Sequence, residues 1–172
     1  MQLTMNPAIA DARETFDALL QAHRKIVFKV AASYANGVED RADLAQEIAT
    51  QLWRAYPAYD EARSFSTWMY RIALNVAISE FRIASRNRRH TVPLDESLHD
   101  APDPNTPQPE SDAGVRAMHA VIQRLDPLNR ALLVLYLEER SSREIAEILG
   151  IGESNVTTKL SRLRQRLRSE LA

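Results

Sequence analysis

The sequence of 172 residues contains no cysteine, which excludes disulfide bonds and thiolate metal ligands. With only four glycines, it also lacks a glycine-rich phosphate-binding loop, and it has no nucleophile motif. Its four histidines are too scattered to predict a zinc site: His23, His90, His99 and His119. We therefore expect no catalytic residues, no bound metal and no cofactor.

Long apolar runs are absent as well. No stretch approaches the roughly 20 residues that cross a bilayer, and the N-terminal sequence MQLTMNPAIADARE has no basic region followed by an apolar core. We expect a cytoplasmic protein without membrane insertion. Strand-like alternation is missing throughout, whereas apolar residues recur at steps of three and four, so the pattern predicts an all-α fold.

The net charge of −1 hides a segregation of charge along the chain. Residues 61–90 carry six basic and two acidic side chains, and residues 115–172 carry ten and seven. Residues 91–114, by contrast, carry six acidic and no basic side chains. Because a protein that binds phosphates needs only a local basic surface, the nearly neutral total does not exclude nucleic acid.

Residues 141–168 contain two short helical patterns that meet at a glycine turn. Ser141 and Glu144 have the spacing of a capping box. Gly150 and Gly152 then interrupt the first helix, and glycine is tolerated at the start of the second. The apolar face of the second helix recurs at steps of four, three and four: Val156, Leu160, Leu163 and Leu167. This combination predicts a helix-turn-helix, and the alternative is an ordinary amphipathic helix with a solvated face.

The outer side of the second helix carries short or forked polar side chains, which suit base edges in a major groove, and basic side chains that can reach phosphates. The residues that we expect to contact duplex DNA are Ser154, Asn155, Thr157, Thr158, Lys159, Ser161, Arg162 and Arg166. A solvated polar face would look similar, so the choice depends on the rest of the chain.

The first half of the chain has three helical patterns. Residues 13–35 form the first, which Gly37 ends, and residues 40–56 form the second, which Pro57 stops. The third runs from about residue 66 to residue 84 or further. It has two apolar faces, so we expect it to lie at the centre of a small bundle, packed on two sides.

A narrow polar line separates the two apolar faces of the third helix. It contains Arg71, Asn75, Ser79 and Arg82, within about 80° of each other at 100° per residue, and Trp68 lies on the same line. Arginines, an amide and a hydroxyl beside an aromatic ring suit a single nucleic-acid strand, whose bases stack and whose phosphates pair. The competing interpretation is a charged exposed stripe with Trp68 in the core.

Residues 91–114 differ abruptly from their surroundings. Five of the eight prolines lie there among the six acids, with little apolar periodicity. We predict a flexible linker, which in extended polyproline form could span roughly 75 Å at about 3.1 Å per residue. Its acidity either keeps the chain soluble or mimics a nucleic-acid strand inside a basic channel of a partner.

The predicted architecture is therefore two small helical units joined by this linker. A flexible N-terminus, residues 1–12, precedes an N-terminal helical bundle at residues 13–90. The second unit, residues 115–172, is expected to be a four-helix helix-turn-helix domain, and its first helix ends at the step from Asp126 to Pro127.

Three segments resemble the extracytoplasmic-function (ECF) sigma factors of the bacterial sigma-70 family. DRADLAQEIATQLWRAY, at residues 40–56, is similar to the family's polymerase-binding segment. SFSTWMYRIALNVAISEFR, at residues 64–82, is similar to its −10 segment, and residues 125–168 resemble its −35 domain. The three stand in the family's order, with a linker in the right place, and together cover nearly the whole chain.

The resemblance implies a promoter-specificity subunit of RNA polymerase. Residues 13–90 would be sigma region 2, which docks on the coiled coil of β′ and captures the melted −10 strand, and residues 115–172 would be sigma region 4, which binds the −35 duplex. The implied contacts with core polymerase are Asp40, Asp43, Gln46, Glu47 and Trp53. The implied contacts with the −10 strand are Arg63, Ser64, Trp68, Arg71, Asn75, Ser79 and Arg82. The implied partners are the β′ and β subunits, promoter DNA and an anti-sigma factor.

A second interpretation is a helix-turn-helix transcriptional regulator that acts without docking on core polymerase. The first 90 residues would then be a sensor or partner module. A receiver domain would need alternating strands and helices with clustered aspartates, and residues 1–90 lack that pattern.

Overall fold

The computed structural model describes residues 7–90 and 113–171. Every regular element in these two ranges is helical, so the predicted all-α fold is confirmed. The α-helices are α1 Pro7–Ala22, α2 Arg24–Tyr34, α3 Val38–Ala55, α4 Phe65–His90, α5 Ala113–Arg124, α6 Pro127–Leu137, α7 Ser142–Leu149 and α8 Glu153–Leu171, with a 3₁₀ turn at Tyr56–Ala58. None of the helices in these ranges is long and apolar enough to span a membrane.

The first unit is a bundle of α1–α4 in which α2, α3 and α4 pack against one another. Its most deeply buried side chains include Val30, Ala31, Ile48, Leu52, Met69, Tyr70, Ala73, Leu74 and Ala77. Burying a large apolar side chain contributes about 1.5–3 kcal/mol, so these contacts dominate the stability of the bundle. Because α4 buries residues on two adjacent sides, its predicted central position is confirmed.

The first helix begins earlier than its apolar pattern indicated. We predicted a flexible segment before residue 13, but α1 starts at Pro7. Proline suits the first turn of a helix, because its fixed φ is helical and its missing N–H would have had no partner there. The prediction is therefore wrong for residues 7–12, and the rest of that segment lies outside the described residues.

The segment expected to be one helix, residues 13–35, forms two helices instead. At His23 the backbone leaves the helical region, with φ −113° and ψ 12°, and α2 begins at the next residue. The ring of His23 packs on the ring of Phe65, with centroids 5.3 Å apart. Leu19, His23 and Ile26 keep steps of four and three across the break, so periodicity alone could not locate it.

We predicted that Gly37 ends a helix, and this prediction is wrong. Gly37 stands at the start of the next helix, α3. The chain has already left α2 at Ala35, whose φ of −119° and ψ of 142° are extended. Gly37 follows at φ 80°, a left-handed value that favours glycine, and it stands directly before α3.

The second unit consists of α5–α8, four helices as predicted, although α5 begins at Ala113, slightly before the expected boundary. The rest of the predicted linker, residues 91–112, lies outside the described residues. Asp126 caps α6 by accepting a hydrogen bond from the backbone N–H of Asn129 at 3.1 Å, and Pro127 occupies the first helical position. Burial by itself would raise the pKa of Asp126. Hydrogen bonds from Asn129 outweigh this effect and hold the pKa below its ordinary value.

The two units pack against each other and share one apolar core. Helices α2 and α4 of the first unit contact α5, α6 and α7 of the second. At this boundary the hydroxyl of Tyr34 donates a hydrogen bond to the carbonyl of Pro127 at 2.7 Å, and burial raises the pKa of Tyr34. The sequence predicted two units on a tether and did not reveal that they are packed together.

Candidate nucleic-acid and polymerase interfaces

The predicted helix-turn-helix is formed by α7 and α8. Ser141 and Glu144 make a complete capping box: the serine hydroxyl accepts from the Glu144 backbone N–H at 3.2 Å, and the Glu144 carboxylate accepts from the Ser141 N–H at 2.9 Å. The Ser141 N–H and the Ser141 hydroxyl both donate to the Glu144 carboxylate, and these two hydrogen bonds hold the pKa of Glu144 below its ordinary value. Gly150 follows α7 at φ 67°, a left-handed conformation that glycine adopts without strain.

The turn places α8 against α7 through a shared apolar interior. Ile145 and Ile148 of α7 and Val156 and Leu160 of α8 are buried. The carbonyl of Gly152, just before α8, accepts a hydrogen bond from the Val156 N–H at 3.0 Å. Because α6, α7 and α8 all contact one another, the predicted helix-turn-helix is part of a packed unit. The alternative of a merely solvated outer face concerns what α8 binds, and this packing fits both interpretations.

The outer side of α8 is accessible at almost all the predicted −35 positions. Seven of the eight are exposed, and only Lys159 is half-buried. Two hydroxyls on this side already donate to their own helix: Thr157 to the carbonyl of Glu153 at 3.1 Å, and Thr158 to the carbonyl of Ser154 at 2.9 Å. Each threonine therefore offers oxygen lone pairs and a methyl group, which suit a base amino group or a thymine methyl.

Three basic side chains of α8 border a small cleft at the start of α6. Lys159, Arg162 and Arg166 line it together with Asn129, around a volume of about 200 Å³. Arg166 also pairs with Glu170 at 2.7 Å, which partly neutralises its charge in the free protein. The cleft concentrates positive charge at one edge of the outer face, where a backbone phosphate could be bound.

The polar line on α4 is continuously exposed. Arg71, Asn75, Ser79 and Arg82 all face solvent, although the helix is packed on its other sides. Two arginines can pair with phosphates, while the amide of Asn75 can both donate to and accept from a base edge. The helix therefore presents a strip that could contact both the backbone and the bases of one strand.

Trp68 lies at the N-terminal end of this line and is half-buried. Its ring centroid is 5.0 Å from that of Tyr59 and 5.3 Å from that of Phe65. It meets the ring of Tyr56 edge-on at 6.5 Å. The ring completes an aromatic cluster and also borders solvent beside the polar line, so the structure fits both sequence interpretations and the contact with a base stays a prediction.

The turn before α4 is held in shape by its own hydrogen bonds. The Tyr59 hydroxyl donates to the carbonyl of Arg63 at 2.7 Å, and the Arg63 N–H donates to the carbonyl of Asp60 at 2.9 Å. Ser64 follows, and its hydroxyl accepts a weak hydrogen bond from the Thr67 N–H at 3.5 Å. Tyr59 was not among the predicted −10 residues. Its position four residues before Arg63 was the sequence feature that could have added it to that set.

The predicted polymerase contacts on α3 differ in exposure. Asp40, Asp43 and Gln46 are exposed, whereas Glu47 is half-buried and accepts a hydrogen bond from the side chain of Gln51 at 2.7 Å. The three carboxylates recur at steps of three and four, so they share one face of the helix.

Trp53, the fifth predicted contact, lies towards the C-terminal end of α3. Its side chain packs on Phe16, with ring centroids 5.2 Å apart, and stacks on Tyr56 at an interplanar angle of 15°. The residue remains 37% exposed, so part of it is accessible to a partner.

A groove of about 980 Å³ runs beside the acidic face of α3, between the two units. Its lining combines acidic side chains of α3, basic side chains near the end of α4 and two residues of the second unit: Asp40, Asp43, Glu47, Arg88, Arg89, Gln123 and Arg130. The sequence could not predict this groove, because its walls come from separate units whose packing was not foreseen.

Two family models match the chain, one in each unit. Residues 19–87 match Sigma-70 region 2, and residues 116–167 match Sigma-70, region 4. The first match contains the acidic face of α3 and the polar line of α4, and the second contains α6, α7 and most of α8.

Curated relatives carry the same family name. ECF RNA polymerase sigma factor SigE of Mycolicibacterium smegmatis is 31% identical over 163 residues, which cover 94% of this chain and 63% of that protein. ECF RNA polymerase sigma factor SigW of Bacillus subtilis is 23% identical over 172 residues, which cover 92% of this chain and 90% of that protein. Some relatives are much longer: the chain spans 42% of the probable RNA polymerase sigma factor RfaY of Xanthomonas campestris and 49% of SigG of Mycobacterium tuberculosis.

Solved structures share the fold over most of this chain. The sigma factor RpoE of Bartonella quintana, solved with the anti-sigma factor NepR, has a TM-score of 0.69 over 92% of this chain and 97% of that one, at 19% identity. CnrH, solved with the cytosolic domain of CnrY, has a TM-score of 0.65 over 94% and 93%, at 22% identity. Since both family models match in order and a relative reaches 31% identity, the chain belongs to the ECF group of the sigma-70 family.

Proposed function

We propose that this protein is a sigma factor, which binds core RNA polymerase and directs initiation at promoters that carry its −35 and −10 elements. The observation that supports the proposal is that one chain exposes two unlike polar surfaces, each of which suits a different form of nucleic acid. The helix-turn-helix of α7 and α8 suits duplex DNA, and the exposed polar line of α4 suits a single strand. A simple DNA-binding regulator needs only the first. The chain itself performs no chemistry, because nucleotide joining belongs to the polymerase.

At the −35 element, α8 lies in the major groove. Short polar side chains such as Ser154 and Thr158 face the base edges, and the basic side chains Lys159 and Arg166 bind phosphates. Arg162 is long enough to reach either a base or a phosphate. The modest positive charge of this face predicts weak binding to DNA alone, so the unit positions the promoter together with polymerase.

At the −10 element, the polar line of α4 binds one strand after the duplex opens. Arg71 and Arg82 pair with phosphates, Asn75 hydrogen-bonds a base, and Trp68 stacks against a neighbouring base. Taking a base out of the stack costs a few kcal/mol, and these contacts offset that cost only in the open state. Promoter melting follows, because the protein binds the single strand better than the duplex.

Docking on core polymerase uses the acidic face of α3, with Trp53 at its far end. Asp40, Asp43 and Glu47 would steer a basic coiled-coil surface of β′ into contact, while Gln46 adds a neutral hydrogen-bonding group. The β subunit is expected to complete the binding site. This role places the protein in the cytoplasm, with the chromosome. The likeness to RpoE, solved with NepR, supports an anti-sigma factor as a further partner.

The decisive experiment combines transcription with a matched charge reversal. We expect the wild-type protein to bind core polymerase and to produce new start sites in run-off transcription from a genomic promoter library. Asp43→Arg with Glu47→Arg should abolish core binding while leaving the helical circular dichroism unchanged. Glu14→Arg with Asp17→Arg, the same change on the exposed side of α1, should bind normally.

The competing function predicts a different result. A helix-turn-helix regulator without core docking would footprint duplex DNA tightly by itself and would produce no new start sites with core polymerase. That outcome would refute the sigma assignment. Normal core affinity of Asp43→Arg with Glu47→Arg would refute only the docking surface on α3.

A further inference from the structure

The boundary between the two units contains a buried arginine. Arg130, on α6, is 1% exposed. Its Nη1 donates to the carbonyl of Ser33 in the first unit at 3.1 Å. Its Nη2 donates to the carbonyls of Gln123 and Leu125 in its own unit, at 2.9 and 3.0 Å. A buried guanidinium is unfavourable unless its surroundings replace water, so these contacts have to stabilise its charge.

The surroundings of Arg130 are negative because two helices end there. Ser33 lies in the last turn of α2, and Gln123 lies in the last turn of α5, so the guanidinium faces the carbonyl ends of one helix from each unit. It also lies over two aromatic rings of the first unit, 4.8 Å from the centroid of Phe81 and 5.2 Å from that of Tyr34. Arg130 therefore fits its site only when the two units are packed together.

A second arginine, which follows the C-terminal end of α6, also lies over an aromatic ring of the first unit. Arg140, in the turn between α6 and α7, lies over the buried ring of Tyr70, 5.1 Å from its centroid. Glu139 adopts φ 56°, and this turn carries Arg140 to Tyr70 and Glu138 into an ion pair with Lys29 of α2. Burial and the adjacent Glu138 carboxylate raise the pKa of Tyr70, and the nearby Arg140 opposes that shift.

A third contact connects the helix-turn-helix with the turn before α4. Arg63, a predicted −10 residue, is 3.8 Å from Glu147 of α7, and α7 packs against α4. The exposed faces of α8 and α4 nevertheless stay open to solvent in this arrangement. Packing of the two units therefore leaves each candidate DNA surface accessible and fixes the distance between them.

We propose that Arg130, held by Tyr34 and Phe81, and Arg140, held by Tyr70, form a latch that keeps the two units docked in the free protein and must release before both promoter elements are bound. The docked state rests on contacts within this chain, whereas its effect on transcription rests on the function proposed above.

The latch has to release because the two promoter elements are farther apart than the docked protein is wide. Elements centred on −35 and −10 are separated by about 25 base pairs, or about 85 Å at about 3.4 Å per base pair. A compact chain of this size has a radius of gyration of about 16 Å and is about 40 Å across. One docked protein therefore cannot reach both elements. Opening is required, and the latch opposes it.

A reversible cross-link tests the latch directly. Because the chain has no cysteine, Lys29→Cys with Glu138→Cys supplies the only two thiols, at an ion pair that crosses the boundary. A short bismaleimide with a disulfide in its linker should bridge them within one molecule of the free protein. The bridged protein should lose run-off transcription with core polymerase, and cleavage of the linker by reductant should restore it.

Weakening the latch should have the opposite effect. The latch lowers the fraction of molecules whose two units are separated and can bind both promoter elements. Loss of one cation–π contact should raise that fraction, so half-maximal run-off should need about fivefold less protein. Arg140→Ala makes this change and also removes the ion pair between Arg140 and Glu144 at 3.3 Å. Arg143→Ala, which removes an exposed arginine from the neighbouring α7, is the control and should match wild type. Glu144→Gln, which removes the same ion pair and keeps the contact with the Tyr70 ring, is a second control. Arg140→Ala should also slow bridging in the cysteine pair. Thermal midpoints of all three variants verify that they fold.

The outcomes separate the latch from the proposed function. Failure of the two thiols to bridge within one molecule would refute the docked state, and unchanged run-off from the bridged protein would refute the need for release. Equal half-maximal concentrations for Arg140→Ala and Arg143→Ala would exclude Arg140 from the latch. If the unbridged protein gives no run-off at all, the sigma function fails, while rapid bridging that Arg140→Ala slows would still establish the docked state.

Discussion

Replacing Arg130 with methionine tests whether a buried cation at the boundary stabilises the fold. Methionine has similar length and flexibility, so Arg130→Met keeps most of the packing volume and removes the charge and every hydrogen-bond donor. The carbonyls of Ser33, Gln123 and Leu125 then lose their contact with the guanidinium. The change therefore isolates the polar contribution of one side chain.

The expected magnitude follows from opposing terms. A buried carbonyl left without a partner costs about 1–3 kcal/mol, and each lost cation–π contact costs about 0.5–2 kcal/mol. Against this, the folded state no longer has to desolvate a guanidinium, which saves several kcal/mol. Because three carbonyls and two ring contacts lose their partner together, we expect the combined losses to exceed that saving. We expect Arg130→Met to lower the free energy of unfolding by about 3 kcal/mol.

Urea unfolding followed by circular dichroism measures this loss. Arg124→Met is the matched control, because Arg124 is exposed at the end of α5 and the same substitution there should change stability by less than about 0.5 kcal/mol. Since the two units share a core, wild type should unfold in one transition, and Arg130→Met should begin to separate it into two. Equal stability of the two variants would refute the account of Arg130.

Three further changes test the helix-turn-helix. Gly150→Ala should cost about 1–2 kcal/mol of stability, because φ 67° disfavours any side chain even though an added Cβ meets nothing within 4 Å. Glu144→Gln should lower the thermal midpoint at pH 7. Since the pKa of Glu144 is lowered in the folded state, that difference should disappear as the pH falls through and below the folded pKa. Arg162→Ala should weaken −35 binding by about 1–3 kcal/mol and relax specificity at one base pair if the side chain contacts a base.

Specific results would contradict each of these. Gly152→Ala is the control for Gly150, since Gly152 has no left-handed φ, and equal losses would show that backbone strain is not the cause. A Glu144→Gln difference that persists at pH 2 would mean that the carboxylate charge does not drive it. If Arg162→Ala weakens all sequences equally in filter binding, Arg162 contacts a phosphate.

Local features of the fold followed from the sequence because their causes lie within a few residues. The capping box of Ser141 and Glu144, the interruption at Gly150 and the end of a helix before Asp126 and Pro127 each depend on side chains and backbone no more than about four positions apart. The exposed line on α4 was equally predictable, since a 100° step fixes which side chains share a face. The break at His23 was missed because the apolar spacing continues through it.

The packing of the two units could not be predicted for the opposite reason. Arg130 stands in the helical sequence PLNRALLVLYL, where a single arginine suggests a solvated position. Its partner Ser33 is 97 positions away, and its other contacts in the first unit are the faces of two aromatic rings. No periodicity links an arginine to a helix end in another unit. The groove and the latch both depend on this unforeseen packing of the two units.

The groove connects the proposed docking surface with the latch. Asp40, Asp43 and Glu47 line the same space as Arg130, so a partner that binds the acidic face of α3 enters beside the buried arginine. The second unit supplies one wall of this groove, through Gln123 and Arg130. A polymerase segment too large for the groove would therefore displace the second unit when it binds the acidic face of α3. Binding energy from core polymerase could then release the latch, as a ligand shifts an equilibrium only through its preference for one state. In this order of events, the free protein stays docked and does not bind both promoter elements until it has bound polymerase.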